Sequence, residues 1–120
     1  MESNAGSTLL PIIKIINNTR TELANIVLSY EGLDDSSTKI NTLNSNSEII
    51  TTISTAFVKD NVNLILSYDH ENIHEEKIVY HNFIADSLIK LTLEINDVNG
   101  EHNIVTIIEI KARNLLLQGW

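Results

Sequence analysis

Apolar and polar residues alternate along this chain in short runs separated by Asn, Asp, Ser and Gly. The runs are LLPIIKII (9–16), LANIVLSY (23–30), STKINTL (37–43), EIITTISTA (48–56), VNLILSY (62–68), KIVYHNF (77–83), SLIKLTLEIN (87–96) and HNIVTIIEIK (102–111). Each is rich in β-branched residues, and the turn-forming punctuation recurs at close spacing. No stretch carries a helical period. The pattern predicts an all-β protein, an antiparallel β-sandwich of seven to eight strands. Pro11 places the first run at a sheet edge or at the start of its strand.

The last two runs specify their own register. Asn99-Gly100 is a strong signal for a two-residue hairpin, because both central positions need positive φ. Paired residue numbers then sum to 199, so Val98 faces Glu101. Ile95 faces Ile104, Leu91 faces Ile108 and Ile89 faces Ile110, an apolar row on one face. On the other face Lys90 falls opposite Glu109, an opposite-charge pair.

The segment VNLILSYDHENIHEEKIVYHNF (62–83) holds three of the four histidines. Leu64, Leu66, Tyr68, Ile78 and Tyr80 are all even-numbered. Placing them on one face requires an even pairing sum, and 144 gives a three-residue turn at Glu71-Asn72-Ile73. His70 then faces His74, Tyr68 faces Glu76, Leu66 faces Ile78 and Leu64 faces Tyr80. His81 points to the opposite face, so three histidines do not converge. His70 and His74 with Glu71 or Glu75 make at most an adventitious ion site at a loop tip. The expectation is a charged, pH-sensitive turn with no functional metal.

The chain also echoes itself. ANIVLSYE (24–31) and VNLILSYD (62–69) share the form x-Asn-aliphatic-aliphatic-Leu-Ser-Tyr-acid. Parity puts Ile26, Leu28 and Tyr30 on one face, and Leu64, Leu66 and Tyr68 likewise. Each tyrosine ends its strand, where its ring packs and its hydroxyl reaches a partner.

Composition narrows the function classes. With 120 residues the chain is expected to be one domain, with 1–8 a flexible N-terminus and 112–120 a C-terminal tail. Net charge is −8 with no basic run, which disfavours nucleic acid and anionic membranes. The absence of cysteine excludes disulfides and thiolate chemistry. The N-terminus lacks a basic signal-peptide region, so a cytoplasmic location is expected.

Catalytic signatures are missing. The chain has no Gly-x-Ser-x-Gly, P-loop or dinucleotide fingerprint. Glu31, Asp34 and Asp35 in EGLDDSS read as a solvated acidic turn without a calcium-ligand pattern. Adjacent acids such as Glu75-Glu76 point to opposite faces of a strand. No cofactor is expected. The tail ARNLLLQGW places Leu115, Leu116, Leu117 and Trp120 together, as core completion or as an apolar anchor for a partner.

The phrase IINNTRTELANIVLSYEG, followed by INTLNSNSEIITTIST, resembles the opening strands of small bacterial immunoglobulin-like modules. The resemblance implies an immunoglobulin-like sandwich that mediates contacts and does not catalyse. The expected function is therefore non-catalytic binding of another protein, with homo-oligomers as one form. The favoured surfaces are Glu31 with Asp34 and Asp35, then His70, Glu71, His74 and Glu75, and the tail leucines with Trp120. Two alternatives stand beside it: an acidic inhibitor or immunity-type protein against a basic target, and a calcium- or glycan-binding surface module.

Overall fold

The computed structural model describes residues 10–56, 58, 61–83 and 88–111. Eight strands follow one another: β1 (Ile12–Asn18), β2 (Leu23–Tyr30), β3 (Leu33–Leu43), β4 (Ser47–Thr51), β5 (Val62–His70), β6 (Ile73–Phe83), β7 (Leu88–Val98) and β8 (Glu101–Lys111). They form two four-stranded sheets, ordered β4-β1-β7-β8 and β3-β2-β5-β6, in an all-β sandwich. No helix occurs among the described residues. The tail 112–120, with Leu115, Leu116, Leu117 and Trp120, lies outside the described residues, as does the N-terminal segment 1–9.

Period-2 alternation drives the packing. In β1, Ile13, Ile15 and Asn17 are buried while their neighbours are not. In β7, Ile89, Leu91, Leu93 and Ile95 are buried and face β2 and β5 across the core. Those two strands supply Ile26, Leu28, Tyr30, Leu64, Leu66 and Tyr68, all buried on the parity read from the internal echo. The echo strands are antiparallel neighbours, with Leu28 paired to Leu66 and Tyr30 to Leu64. Their tyrosines consequently sit at opposite ends of the sandwich.

Not every pairing is antiparallel. β1 runs antiparallel to β4 but parallel to β7, from Ile12–Lys90 to Asn18–Asn96. The β1–β2 connection is held by a buried polar knot. Asn17 Nδ2 donates to the carbonyls of Thr21 (2.9 Å) and Leu43 (3.0 Å), and its Oδ1 accepts from the N–H (2.9 Å) and hydroxyl (2.6 Å) of Thr19. All of the Asn17 amide's polar atoms are thereby satisfied away from water.

The β7–β8 hairpin has the expected register throughout, including Lys90 opposite Glu109 at 4.0 Å. Asn99 (φ 54°) and Gly100 (φ 83°) provide the two left-handed positions. Two other turns correct the sequence reading. Residues 31–36 are not a long acidic turn: Glu31-Gly32 alone make it, with Gly32 at φ 82°, and Asp34 and Asp35 belong to β3. The β5–β6 turn has two residues, not three. Glu71 (φ 47°) and Asn72 (φ 66°) both enter the left-handed region, and His70 pairs with Ile73.

That last difference moves every side chain near the turn. Tyr68 pairs with Glu75 instead of Glu76, and Leu66 with Lys77 instead of Ile78. Farther along, register shifts restore the expected Leu64–Tyr80 pair and bring Val62 opposite Phe83. Val79 and Phe83 are therefore the buried apolar residues of β6, while Ile78 is exposed.

Candidate functional site

The two-residue turn of β5–β6 aims odd-numbered β6 residues inward and so brings Glu75 beneath His70. The same end of the sandwich receives the β7–β8 turn and the β1–β2 connection. Asn18 Nδ2 donates to Asn96 Oδ1 (3.0 Å), and the Arg20 N–H donates to Asp97 Oδ2 (3.0 Å). An open cleft of about 500 Å³ lies among Arg20, His70, Glu71, Asp97, Gly100 and His102.

Two histidines from different sheets meet there. The rings of His70 and His102 stack with centroids 3.8 Å apart and planes inclined by 19°. Both are buried, at 8% and 7% exposure. Tyr68 packs against both rings, and its hydroxyl lies 2.8 Å from His102 Nδ1. His102 Nε2 faces Asp97 Oδ1 at 3.4 Å, and His70 Nε2 faces Glu75 Oε2 at 3.1 Å. His70 Nδ1 is buried and finds no partner among the described residues.

Environment sets the charge states. Burial, and then the neighbouring carboxylates of Glu75 and Asp97, push the Tyr68 phenol well above its ordinary range. It remains a neutral O–H that donates to His102 Nδ1. Burial, followed by the adjacent His70, lowers the affinity of His102 for a proton. Neutral His102 then keeps its proton on Nε2, facing Asp97. The Lys77 ammonium caps the group by donating to the His102 carbonyl (2.8 Å).

The residues singled out in the sequence are divided by this geometry. His70 and Glu75 join the inner cluster. His74, expected opposite His70, pairs with Asp69 and is exposed; its Nδ1 lies 2.6 Å from Asp69 Oδ1 on the outer face. Hydrogen bonds from Asn25 and then His74 hold the Asp69 carboxyl below its usual range. Glu71 is exposed in the turn. Glu31 accepts from Asn63 Nδ2 (3.0 Å) at the far end of β2 and β5. That is six residues along β5 from Asp69, about 20 Å at ~3.3 Å per residue. Asp34 and Asp35 follow at that same far end, in β3.

His102 was the residue missed. Its signal was present in the β7–β8 register, where Asp97 faces His102 on the same side as the buried Ile95. A histidine on the core-facing row at a strand's end is placed to meet whatever polar group the other sheet offers.

The other exposed feature is strand β8, at the edge of its sheet. Val105, Ile107 and Ile108 are each partly exposed, as is Ile78 on the facing edge strand β6. Side chains bridge the two edges: Thr106 donates its hydroxyl to the Val79 carbonyl at 2.8 Å.

No protein-family model matches the chain, and no curated protein matches it. Among solved structures, it is similar to an NMR structure of a protein from Eubacterium rectale. The likeness has a TM-score of 0.58 at 16% identity and covers 87% of this chain and 93% of that one. At that identity the likeness concerns the fold alone.

Proposed function

We propose that this chain is a non-catalytic protein-binding module that accepts an extended segment of another polypeptide along the edge of β8. The observation that carries this reading is a contrast among the four sheet edges. β4 is only five residues long. β3 is broken by a register shift near its start, and β6 by two further shifts with Asn82 at φ 60°. Short strands and bulges are standard protections against edge pairing. β8 has neither: its pairing with β7 runs unbroken through eleven residues, and 101–109 contain no proline or lysine.

The hydrogen-bonding direction of β8 follows from its turn. Val98 and Glu101 flank a two-residue loop and form a hydrogen-bonded pair, and such pairs alternate along the ladder. The N–H groups of Ile104, Thr106 and Ile108 thus point away from β7. The outward direction agrees with the His102 carbonyl's reception of Lys77. A partner strand would pair with these groups, while Val105 and Ile107 offer apolar contact.

The sequence likeness to bacterial immunoglobulin-like modules supports the same reading, since such modules mostly mediate contacts. Net charge of −8 favours a basic partner. An inhibitor or immunity-type protein is a special case of this binding, marked by an association rate that falls steeply with salt.

The test is affinity capture from source cells beside sedimentation analysis, using the wild-type chain, Ile108→Pro and His74→Gln. Proline at 108 removes one outward N–H without breaking the β7 ladder. A partner, or a self-association, that is lost in Ile108→Pro and kept in His74→Gln supports strand addition at β8. Equal capture by all three chains, or a monomer that captures nothing, overturns it.

A further inference from the structure

Two buried imidazoles and two carboxylates from four strands converge at the cleft end of the sandwich, and binding of a polypeptide at β8 does not use them. One of their polar atoms, His70 Nδ1, is buried without a partner among the described residues.

We propose that His70, Glu75 and His102 form a binding site for a first-row divalent transition-metal ion of the Zn²⁺ class. One ligand atom from each of the three lies within 4.8 Å of the others. Nitrogen and oxygen donors sit about 2.0–2.2 Å from zinc, so neighbouring donors on a tetrahedral ion are about 3.3 Å apart. His70 Nε2 to Glu75 Oε2 is 3.1 Å, and His102 Nε2 to Asp97 Oδ1 is 3.4 Å. The first separation matches a tetrahedral edge, and the second places Asp97 beside the site. The two imidazole rings stack with centroids 3.8 Å apart.

Donor chemistry selects the ion. Two imidazoles suit zinc and its neighbours, whereas calcium and magnesium take oxygen ligands. The Glu75 carboxylate supplies one ligand charge, and Asp97, 3.4 Å from His102 Nε2, adds negative charge beside the site. Metal binding moves the His102 proton to Nδ1, which then donates to the Tyr68 hydroxyl oxygen and leaves Nε2 as the ligand atom, the outer support that metal-bound histidines require. The adjoining cleft gives the ion an entry path. Parallel stacked rings aim their lone pairs side by side, so metal binding splays the 19° stack and turns His70 within its pocket.

The test uses ZnCl₂ and CoCl₂ added to the full-length chain after chelator treatment. The expected result is one Zn²⁺ per chain by calorimetry, a rise in Tm of several degrees, and intense visible bands from tetrahedral Co²⁺. His102→Gln is expected to weaken Zn²⁺ by more than roughly 100-fold, since even outer-shell losses cost 10–100-fold. His74→Gln and His81→Gln, at exposed positions, should bind as the wild type does. Glu75→Gln serves as a second variant should His102→Gln fail to fold, and it too should weaken Zn²⁺ and abolish the Co²⁺ bands. Binding that survives both inner substitutions but is lost in His74→Gln overturns the proposal in favour of a surface ion. Absence of any Zn²⁺ effect on Tm at millimolar metal overturns it outright.

Discussion

Tyr30 and Tyr68 end two strands of nearly the same sequence, yet they meet opposite surroundings. Because β2 and β5 are antiparallel neighbours, the shared motif delivers one ring to each end of the sandwich. Tyr30 packs on Phe83, with ring centroids 5.3 Å apart, and its hydroxyl is buried without a partner among the described residues. Tyr68 packs on two histidines and gives its hydroxyl to one of them. The same residue type is thus an imperfect apolar filler at one end and a structural donor at the other. What differs is the strand opposite: β6 supplies Phe83 to the first ring, and β8 supplies His102 to the second.

The largest expected effect treats both ends alike. Leu28→Ala or Leu66→Ala empties the shared middle of the motif, and each should cost about 2–5 kcal/mol by urea unfolding. The two residues are paired, so the double variant should depart from additivity. Tyr68→Phe comes next. It strands His102 Nδ1 in a buried setting and should cost about 1–3 kcal/mol.

Acid then separates the ends. His102 binds a proton less readily folded than unfolded, where its ordinary value is 6.5. Its contribution to stability is therefore full above that value and is lost as pH falls through the lowered folded value. His70, Glu75, Asp97 and Lys77 face the same ring and shape this profile. Tm should fall between neutral and mildly acid pH, and His102→Gln should flatten that slope. A slope unchanged in His102→Gln would assign the acid sensitivity elsewhere. The smallest effect belongs to Tyr30→Phe, which removes an unpartnered hydroxyl. Stability should change by less than about 0.5 kcal/mol, in the favourable direction.

The two hairpins explain what the sequence could and could not disclose. Asn99-Gly100 announces its turn because both residues accept positive φ cheaply, and the regular ladder then carries the register to Lys111. Glu71 takes φ 47° without any such signal, since glutamate is an uncommon left-handed residue. The parity of Leu64 and Tyr80 was correct where they pair, but a register shift lies between them and the turn. Extending one pairing sum through that shift put His74 opposite His70 and hid the meeting of His70 with Glu75. The acidic 31–36 segment misled for a related reason: only Gly32 needs an unusual φ there, so the strand resumes at Leu33. The inner cluster also joins residues from two sheets, and no local pattern encodes which sheet ends coincide.

The parallel contact of β1 with β7 sets the order in which this chain can fold. β2–β3, β5–β6 and β7–β8 are local hairpins that close over short loops as they are made. β1 is wedged between β4 and β7, and its Asn18 side chain meets Asn96, 78 residues later. Such distant pairing pays its loop entropy before any contact rewards it. During synthesis β1 must wait for β7, 78 residues farther on, so Ile13 and Ile15 remain without half of their sheet until β7 emerges. In that interval they are the surface a chaperone would meet.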